Sequence, residues 1–249
     1  MSTKLDRGRF LARNPFANGL TDGLFYREKM RAIHRIAPNE LSNGRCAKIL
    51  DVGGGRSGIV STLYPDAEIV NLDVDVALHF QTPKSDRASF VCGNACALPF
   101  ADEIFDAVTM FDVLEHIPAD AIAAQEALRV TKRGGVIIVS TPAEHWHYPY
   151  YSFMRRFCPL ERELMQQWGH VRRGYTAAGL ERLFAAPPER SGMFINAVTA
   201  FSHDVAFSRL RRRTRYLLYV LAAPITLAGY LLHTERTSGS EWTMAWRKP

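Results

Sequence analysis

The stretch KILDVGGGRSGIVS, residues 48–61, constrains this chain more than any other. Ile49, Leu50 and Val52 form a short apolar run between Lys48 and a glycine cluster, which predicts a buried strand ending in a tight turn. Ile59, Val60 and Leu63 follow at the spacing of one helix face. A strand, a glycine turn and a helix N-terminus let a backbone approach a ligand without interference from Cβ atoms. Gly53, Gly55 and Gly58 satisfy G-x-G-x-x-G, a dinucleotide fingerprint that is weak by itself. Asp51, two residues before the first glycine, points elsewhere. An anionic side chain under the loop repels a pyrophosphate and suits a ligand with a cationic end, such as a sulfonium carrying an ammonium group. A plain glycine turn in an α/β domain is the bland alternative.

Further strands follow at a regular pace. Residues 68–73 predict a second strand ending in Asp73, 18 residues after Gly55 and near the distance at which a carboxylate meets ribose hydroxyls. Residues 88–92 predict a third, leading into Gly93, Asn94 and Ala95, and residues 105–111 a fourth, ending at Phe111 and Asp112. A helix over 119–132 is followed by a turn at Gly134 and Gly135 and a fifth strand over 136–139, ended by Pro142. Residues 193–198 read as a sixth strand and 241–246 as a seventh. This alternation predicts an α/β fold, a doubly wound, mostly parallel seven-stranded Rossmann-like sheet. Ligands of such sheets sit beyond the carboxyl ends of the strands, where Asp51, Asp73, Asn94 and Asp112 all stand.

One domain over 1–249 is expected, with an N-terminal helix at 22–37, a cofactor-binding core at 46–142 and a substrate-side segment at 143–190. The N-terminal helix is expected to pack on the sheet rather than cover the ligand. An apolar helical insertion over 205–233 precedes the last strand; Pro224 is expected to divide it into two short helices. The formal net charge is +6, with Arg209, Arg211, Arg212, Arg213 and Arg215 crowded just before the apolar run 216–232. That arrangement suits an anionic membrane surface, and no nucleic-acid motif accompanies it. Cys46, Cys92, Cys96 and Cys158 include no C-x-x-C pair, so reduced thiols are expected. No apolar leader opens the chain. A cytoplasmic protein is expected, whose insertion either lies peripherally at the inner face of a membrane or caps a pocket for a hydrophobic acceptor, with a true span as the remaining reading.

The segments ILDVGGGRSG, NLDVD, GNACALPFADEIFDAV, FDVLEHIP and RVTKRGGVIIVSTP, in this order and spacing, resemble the class I S-adenosylmethionine-dependent methyltransferases, in particular the broad group of ubiquinone-pathway enzymes. The later HVRRGYTAAGLERLF is similar to a segment found downstream in them. The resemblance implies S-adenosyl-L-methionine as cofactor. It implies that Asp51, Gly53 and Gly55 hold the methionine end, Asp73 the ribose hydroxyls, and Asn94 and Ala95 the adenine edge. Phe111 is implied beside the bound cofactor. Ser57 departs from the family's third glycine and Asn94 from its commoner Asp; an amide oxygen still accepts a hydrogen bond.

Methyl transfer is an in-line displacement, so alignment dominates, and a hydroxyl acceptor also needs a base. His116, just past the fourth strand, is the first candidate; His145 and His147 are alternates, and each competes with a purely structural hydrogen bond. Asp112, Glu115 and His116 lie within five residues and could ligate a divalent cation, as the resembling ubiquinone-pathway O-methyltransferases do, but the expectation is no metal. The expected function is methylation, on oxygen, of a small-molecule or lipid-linked acceptor. The alternatives are a non-catalytic cofactor-binding partner in a membrane-associated complex and a nicotinamide-dependent oxidoreductase.

Overall fold

The computed structural model describes residues 20–54, 58–75, 77 and 87–249; of the candidate residues, Gly55, with Ser57 near it, lies outside them. Seven strands form one sheet: β1 (Lys48–Val52), β2 (Glu68–Asp73), β3 (Ala88–Cys92), β4 (Phe105–Phe111), β5 (Thr131–Pro142), β6 (Arg190–Phe194) and β7 (Glu241–Arg247), in the order β3-β2-β1-β4-β5-β7-β6. The first five are parallel, and β7 runs antiparallel between β5 and β6. The order reverses between β1 and β4, which opens a crevice at their carboxyl ends.

Successive side chains of a strand face opposite sides of the sheet. Ile49 therefore joins one core with Ile69, Ile138 and the inner residues Met30, Ile33 and Ile36 of helix α1 (Leu20–Ile36) and Ile59, Val60 and Leu63 of α2 (Ile59–Leu63). Leu50 joins the other, with Val108 and Met244, against Ala123, Ala124 and Ala127 of α3 (Asp120–Val130). Between β5 and β6 lie α4 (Glu161–Trp168) and α5 (Ala177–Leu183), with Leu180 of α5 buried in the second core.

Three expectations about the elements are corrected. Gly134 and Gly135 do not make a turn ahead of β5; they lie inside it, where the register with β4 shifts between Phe105 and Ala107. Gly134 has φ +72°, and a Cβ on Gly135 would stand 2.8 Å from the Lys132 carbonyl oxygen, so the pair builds a bulge that keeps the strand running. The sixth strand covers 190–194 instead of 193–198, because Ile195 turns to φ +57° and leaves the sheet. The apolar run is one helix, not two: α7 (Arg212–Leu232) runs unbroken through Pro224, and the helix before it, α6 (Ala200–Phe207), begins ahead of residue 205 and is separated from α7 at 208–211. Proline removes the bond to the carbonyl of Val220, a residue on the exposed side of the helix.

α7 is strapped along the body at both ends. Arg215 donates to the Ala206 carbonyl at 2.8 Å, Arg35 to the His233 carbonyl at 2.6 Å, and Asn196 to the Gly229 carbonyl at 2.9 Å. Cations on the last carbonyls also complement the helix dipole.

Candidate functional site

A cleft of about 620 Å³ opens at the carboxyl ends of β1, β2 and β4, lined among others by Gly53, Asp73, Asn94, Ala95, Val113 and Ile117. Gly53 has φ +65° and donates its N–H to the Leu72 carbonyl at 2.7 Å; a Cβ there would stand 2.4 Å from Val113 Cγ2. A Cβ on Gly54 would stand 2.2 Å from Asp51 Oδ2. The glycines therefore admit a backbone turn directly over a carboxylate. Asp51 is buried, accepts from Thr109 Oγ1 at 2.6 Å, and is pushed up to about 7, chiefly by burial. Asp73, at the end of β2, lines the cleft and accepts from the Asp75 N–H at 3.0 Å. Asn94 Oδ1 already accepts from the Cys96 N–H at 2.8 Å, an Asx turn that fixes the loop beside Ala95. Phe111 does not meet the cleft. It faces the opposite side of the sheet, packed against the core that includes Met30 and Ile138, and lines neither of the cavities described here.

A second cavity of about 410 Å³ adjoins the first, and Asp112 and His116 line both. Its walls are aromatic: Phe25 and Tyr26 from α1, Trp146, Tyr148 and Tyr150 from the loop after β5, Trp168, and Phe207 from α6. Asp112 holds φ +53°, a conformation rare outside glycine and asparagine, where β4 gives way to the short turn Leu114–His116. Its carboxylate accepts from Ser140 Oγ at 3.0 Å and forms an ion pair with Lys29 of α1. Lys29 is buried, and burial lowers it to about 8 against the pull of Glu241 and Glu115. α1 thus packs on the sheet and covers the site as well, beyond the packing role expected of it.

The Nδ1–H of His116 donates to the Gly169 carbonyl at 3.2 Å, which leaves Nε2 with its lone pair. Its ring meets His170 edge-on with centroids 4.7 Å apart. Burial, then the neighbouring His116, pushes His170 down to about 4. Glu115, fully buried, accepts from Thr141 Oγ1 at 2.9 Å, and burial pushes its carboxyl up. Glu115, His116 and His170 each bring one ligand atom within 4.8 Å of the others, a carboxylate and two imidazoles of a kind that holds divalent transition metals. Asp112, grouped with Glu115 and His116 on sequence, is instead committed to Lys29.

The two alternate histidines stand apart. His145 Nε2 lies 3.0 Å from the Gly239 carbonyl and His147 Nε2 3.3 Å from that of Tyr150; both are exposed and line neither cavity. Sequence reasoning missed Lys29, His170 and Glu241. Lys29 could have been found as a lysine on the apolar face of α1, beside Met30 and Ile33. Glu241 opens β7, and because β7 is antiparallel its first residue pairs with Pro142, at the carboxyl end of β5.

Residues 50–139 match the family described as "Methyltransferase domain". A demethylmenaquinone methyltransferase of Roseiflexus sp. is 31% identical over 167 residues, 61% of this chain and 67% of that protein. The chain belongs to the class I S-adenosylmethionine-dependent methyltransferases. A second demethylmenaquinone methyltransferase, from Renibacterium salmoninarum, is 40% identical over 97 residues, 37% of this chain and 40% of the relative. The match to it therefore spans well under half of that relative's length. Among solved structures, the phosphoethanolamine N-methyltransferase 2 of Haemonchus contortus in complex with S-adenosyl-L-methionine superimposes with a TM-score of 0.56. It covers 96% of this chain and 59% of that one at 17% identity, a likeness of fold alone. The residues of this methyltransferase fit S-adenosylmethionine. Gly53 and Gly54 leave a turn no Cβ could share, a desolvated carboxylate lies beneath it, and a second acid, Asp73, ends β2 in the wall of the cleft.

Proposed function

We propose that the protein transfers a methyl group from S-adenosylmethionine to a hydroxyl of a small-molecule or lipid-linked acceptor held in the aromatic cavity. The observation that carries this reading is the meeting of the two cavities at Asp112 and His116. The bound cofactor supplies a methyl group on a cationic sulfonium. Asp51 offers a negative charge beneath its ammonium end, Asp73 takes the ribose hydroxyls, and Ala95 and Ile117 give the adenine an apolar wall. His116 Nε2 takes the proton of the acceptor hydroxyl, while the aromatic walls orient the acceptor and keep water out. The activity of the two demethylmenaquinone relatives supports an acceptor of quinone type. Incubation with S-adenosylmethionine and a panel of hydroxylated aromatic acceptors should yield S-adenosylhomocysteine and a product heavier by one methyl group. Binding of S-adenosylhomocysteine without turnover on any acceptor would leave the non-catalytic alternative, and preferential binding of NAD would overturn the cofactor assignment for this chain.

A lipid-linked acceptor also fits α7. None of its residues is buried, and Leu217, Val220, Leu221, Ile225, Leu227, Leu231 and Leu232 are exposed. By length and composition α7 could cross a membrane, but its straps to α1, α6 and residue 196 hold both ends against one body. The helix therefore lies flat at the interface, with the arginines of 209–215 against anionic lipid at the cytoplasmic face. Flotation with anionic vesicles that weakens at high salt is the expected result. Absence from every vesicle composition would leave α7 as a cap over α6, and resistance to alkaline carbonate would mean a true span.

A further inference from the structure

Exposed apolar side chains are gathered in one part of this chain. Among the described residues fifteen large hydrophobics are exposed, and all but Val74 and Ile122 lie within residues 153–232. Seven of them are on α7, and the other six include Phe153 at 62% and Leu160 at 53% exposure. Single apolar residues on a surface need no explanation, whereas a contiguous patch marks an interaction surface. The turn Ser152–Phe157 and α7 do form one patch. Met154 of the turn, with Cys158 just after it, packs in one cluster with Leu218 and Tyr219 of α7. The Arg209 N–H donates to the Phe157 carbonyl at 2.7 Å. Phe153 meets Phe201 of α6 with ring centroids 6.1 Å apart. Val198 reaches the far part of α7, where a Cβ on Gly229 would stand 2.6 Å from Val198 Cγ1. Phe207 joins this surface to the aromatic cavity, since it lines the cavity and is itself exposed.

The charge around the patch has one sign. Residues 145–160 contain no acid, and residues 200–234 contain only Asp204, which is buried. Arg155, Arg156, Arg211, Arg212 and Arg213 are exposed, and the nearby Glu163 is paired with Arg209 at 2.6 Å. Arg156 lies over the Phe157 ring at 5.8 Å and Arg212 over the Tyr216 ring at 5.2 Å, so cations stand at the level of the aromatic side chains. Apolar residues flanked by arginines and aromatic rings suit the boundary between acyl chains and anionic headgroups.

We propose that the segment 152–160 is a second membrane anchor: Phe153, Phe157 and Leu160 enter the acyl boundary of an anionic bilayer beside α7, while Arg155 and Arg156 pair with lipid phosphates. This rests on the interfacial reading of α7 above and adds to it an element from the loop after β5. Met154 faces inward and its neighbours outward, so the turn presents its apolar and basic side chains without opening the cluster beneath it. Two anchors on one body hold a surface more tightly than either alone, because once one is bound the other meets the lipid at high effective concentration.

Flotation with vesicles of phosphatidylcholine, with and without phosphatidylglycerol, tests this. Phe153→Asp and Phe157→Asp should each weaken partitioning by about tenfold or more, the worth of one large apolar side chain withdrawn from lipid. Arg155→Gln combined with Arg156→Gln should weaken it several-fold, and only on vesicles that contain phosphatidylglycerol. Ile122→Asp, exposed on α3, should leave it within about twofold, as for exposed substitutions generally. Every variant should bind S-adenosylhomocysteine like the unaltered protein, which shows that it is folded. Should an aspartate variant not fold, Phe153→Trp decides: on vesicles with brominated acyl chains its emission should be quenched more than that of the unaltered protein, and equal quenching would overturn the proposal. Partitioning of Phe153→Asp and Phe157→Asp at the unaltered level, with Leu221→Asp weakened, would leave α7 as the sole contact and defeat this inference alone. Binding of the unaltered protein to no vesicle would defeat it together with the interfacial reading of α7 and leave the surface to a protein partner. Turnover of a soluble acceptor, measured alongside, tests methyl transfer separately from both.

Discussion

The two cavities are assembled in opposite ways. The cofactor cleft takes Gly53, Asp73, Asn94, Val113 and Ile117 from successive strand ends within one continuous stretch of chain. The acceptor cavity draws on Phe25 of α1, His116, Trp146, Trp168, Phe207 of α6 and Glu241 of β7, spread from one end of the described chain to the other. The first is built of backbone turns and of acids whose position follows from strand polarity. The second, where we propose the acceptor binds, is built of side chains that meet only when helices and an antiparallel strand close over the sheet. The first kind of site is shared by a family; the second is free to change with the substrate.

The largest effect should appear where the cavities meet. His116→Ala is expected to lower kcat by about 100-fold or more, the usual worth of a general base, and to leave the affinity for S-adenosylhomocysteine within about twofold. A rate that falls only in step with cofactor affinity would assign His116 to the cleft alone and erase the distinction between the two sites. Kinetics beside calorimetry measure both.

Next comes the cofactor side. Asp73→Ala removes a carboxylate whose one hydrogen bond among the described residues is accepted from the Asp75 N–H, so the melting temperature should move little. Loss of a charged hydrogen bond to a ribose should cost about 1.5–3 kcal/mol, roughly a 10- to 150-fold weaker Kd for S-adenosylhomocysteine. An unchanged Kd would remove Asp73 from the site.

The same contrast explains what could be read in the residues. Asp51, Gly53, Asp73, Asn94 and His116 carry their position in their local sequence, because each follows a β-branched or apolar run that must be a buried strand, and parallel strands put their last residues on one edge. Glu241 obeys the same geometry with the sign reversed: it is the first residue of a strand, and only the antiparallel pairing with β5 brings it to that edge. His170 has no local signature, and Lys29 shows only as a lysine on the apolar face of α1; their roles come from what the loop after α4 and α1 pack against. Phe111 fails for a simpler reason. A one-residue step along β4 moves a side chain to the other face, and Phe111 faces the core of α1 while Met110 faces the other. The extent of α7 escaped because Pro224 reads as a break, whereas the helix continues with one intrahelical bond fewer, on a face where Val220 is exposed.

Asp51 gives a graded effect. In the free protein its carboxyl titrates near 7, raised mainly by burial. A cationic ligand end favours the ionised form, so affinity for S-adenosylmethionine should rise with pH and level off above about 7. Below that value it should fall by up to about tenfold per pH unit, with proton release on binding between these limits. The sign for stability is the reverse. A carboxyl raised in the folded state contributes most below its unfolded value near 4, so stability of the free protein declines as pH climbs from there through about 7. Asp51→Asn should flatten both profiles. Titrations in two buffers of different ionisation enthalpy count the protons, and a pH-independent Kd would place the cofactor's cationic end away from β1.

The smallest effect is expected where the residue types look most chemical. His145→Ala and His147→Ala should leave kcat within about twofold and stability within about 0.5 kcal/mol, as for exposed substitutions generally. Both imidazoles face solvent, and their polar contacts are with the backbone carbonyls of Gly239, Tyr150 and His145 itself. The two should still differ. His145 holds Gly239, whose own site is so close to Phe194 that a Cβ would stand 2.1 Å from that residue's carbonyl oxygen, and Gly239 leads two residues later into Glu241. Loosening that approach lets Glu241 drift from the acceptor without touching the base, so His145→Ala should raise the acceptor KM a few-fold while His147→Ala raises neither parameter. A tenfold loss of kcat in His147→Ala would mean that the acceptor reaches solvent-side imidazoles and that the aromatic cavity is not where it binds. A KM shift confined to His145→Ala would tie the loop after β5 to the acceptor end of the site and leave the cofactor cleft untouched.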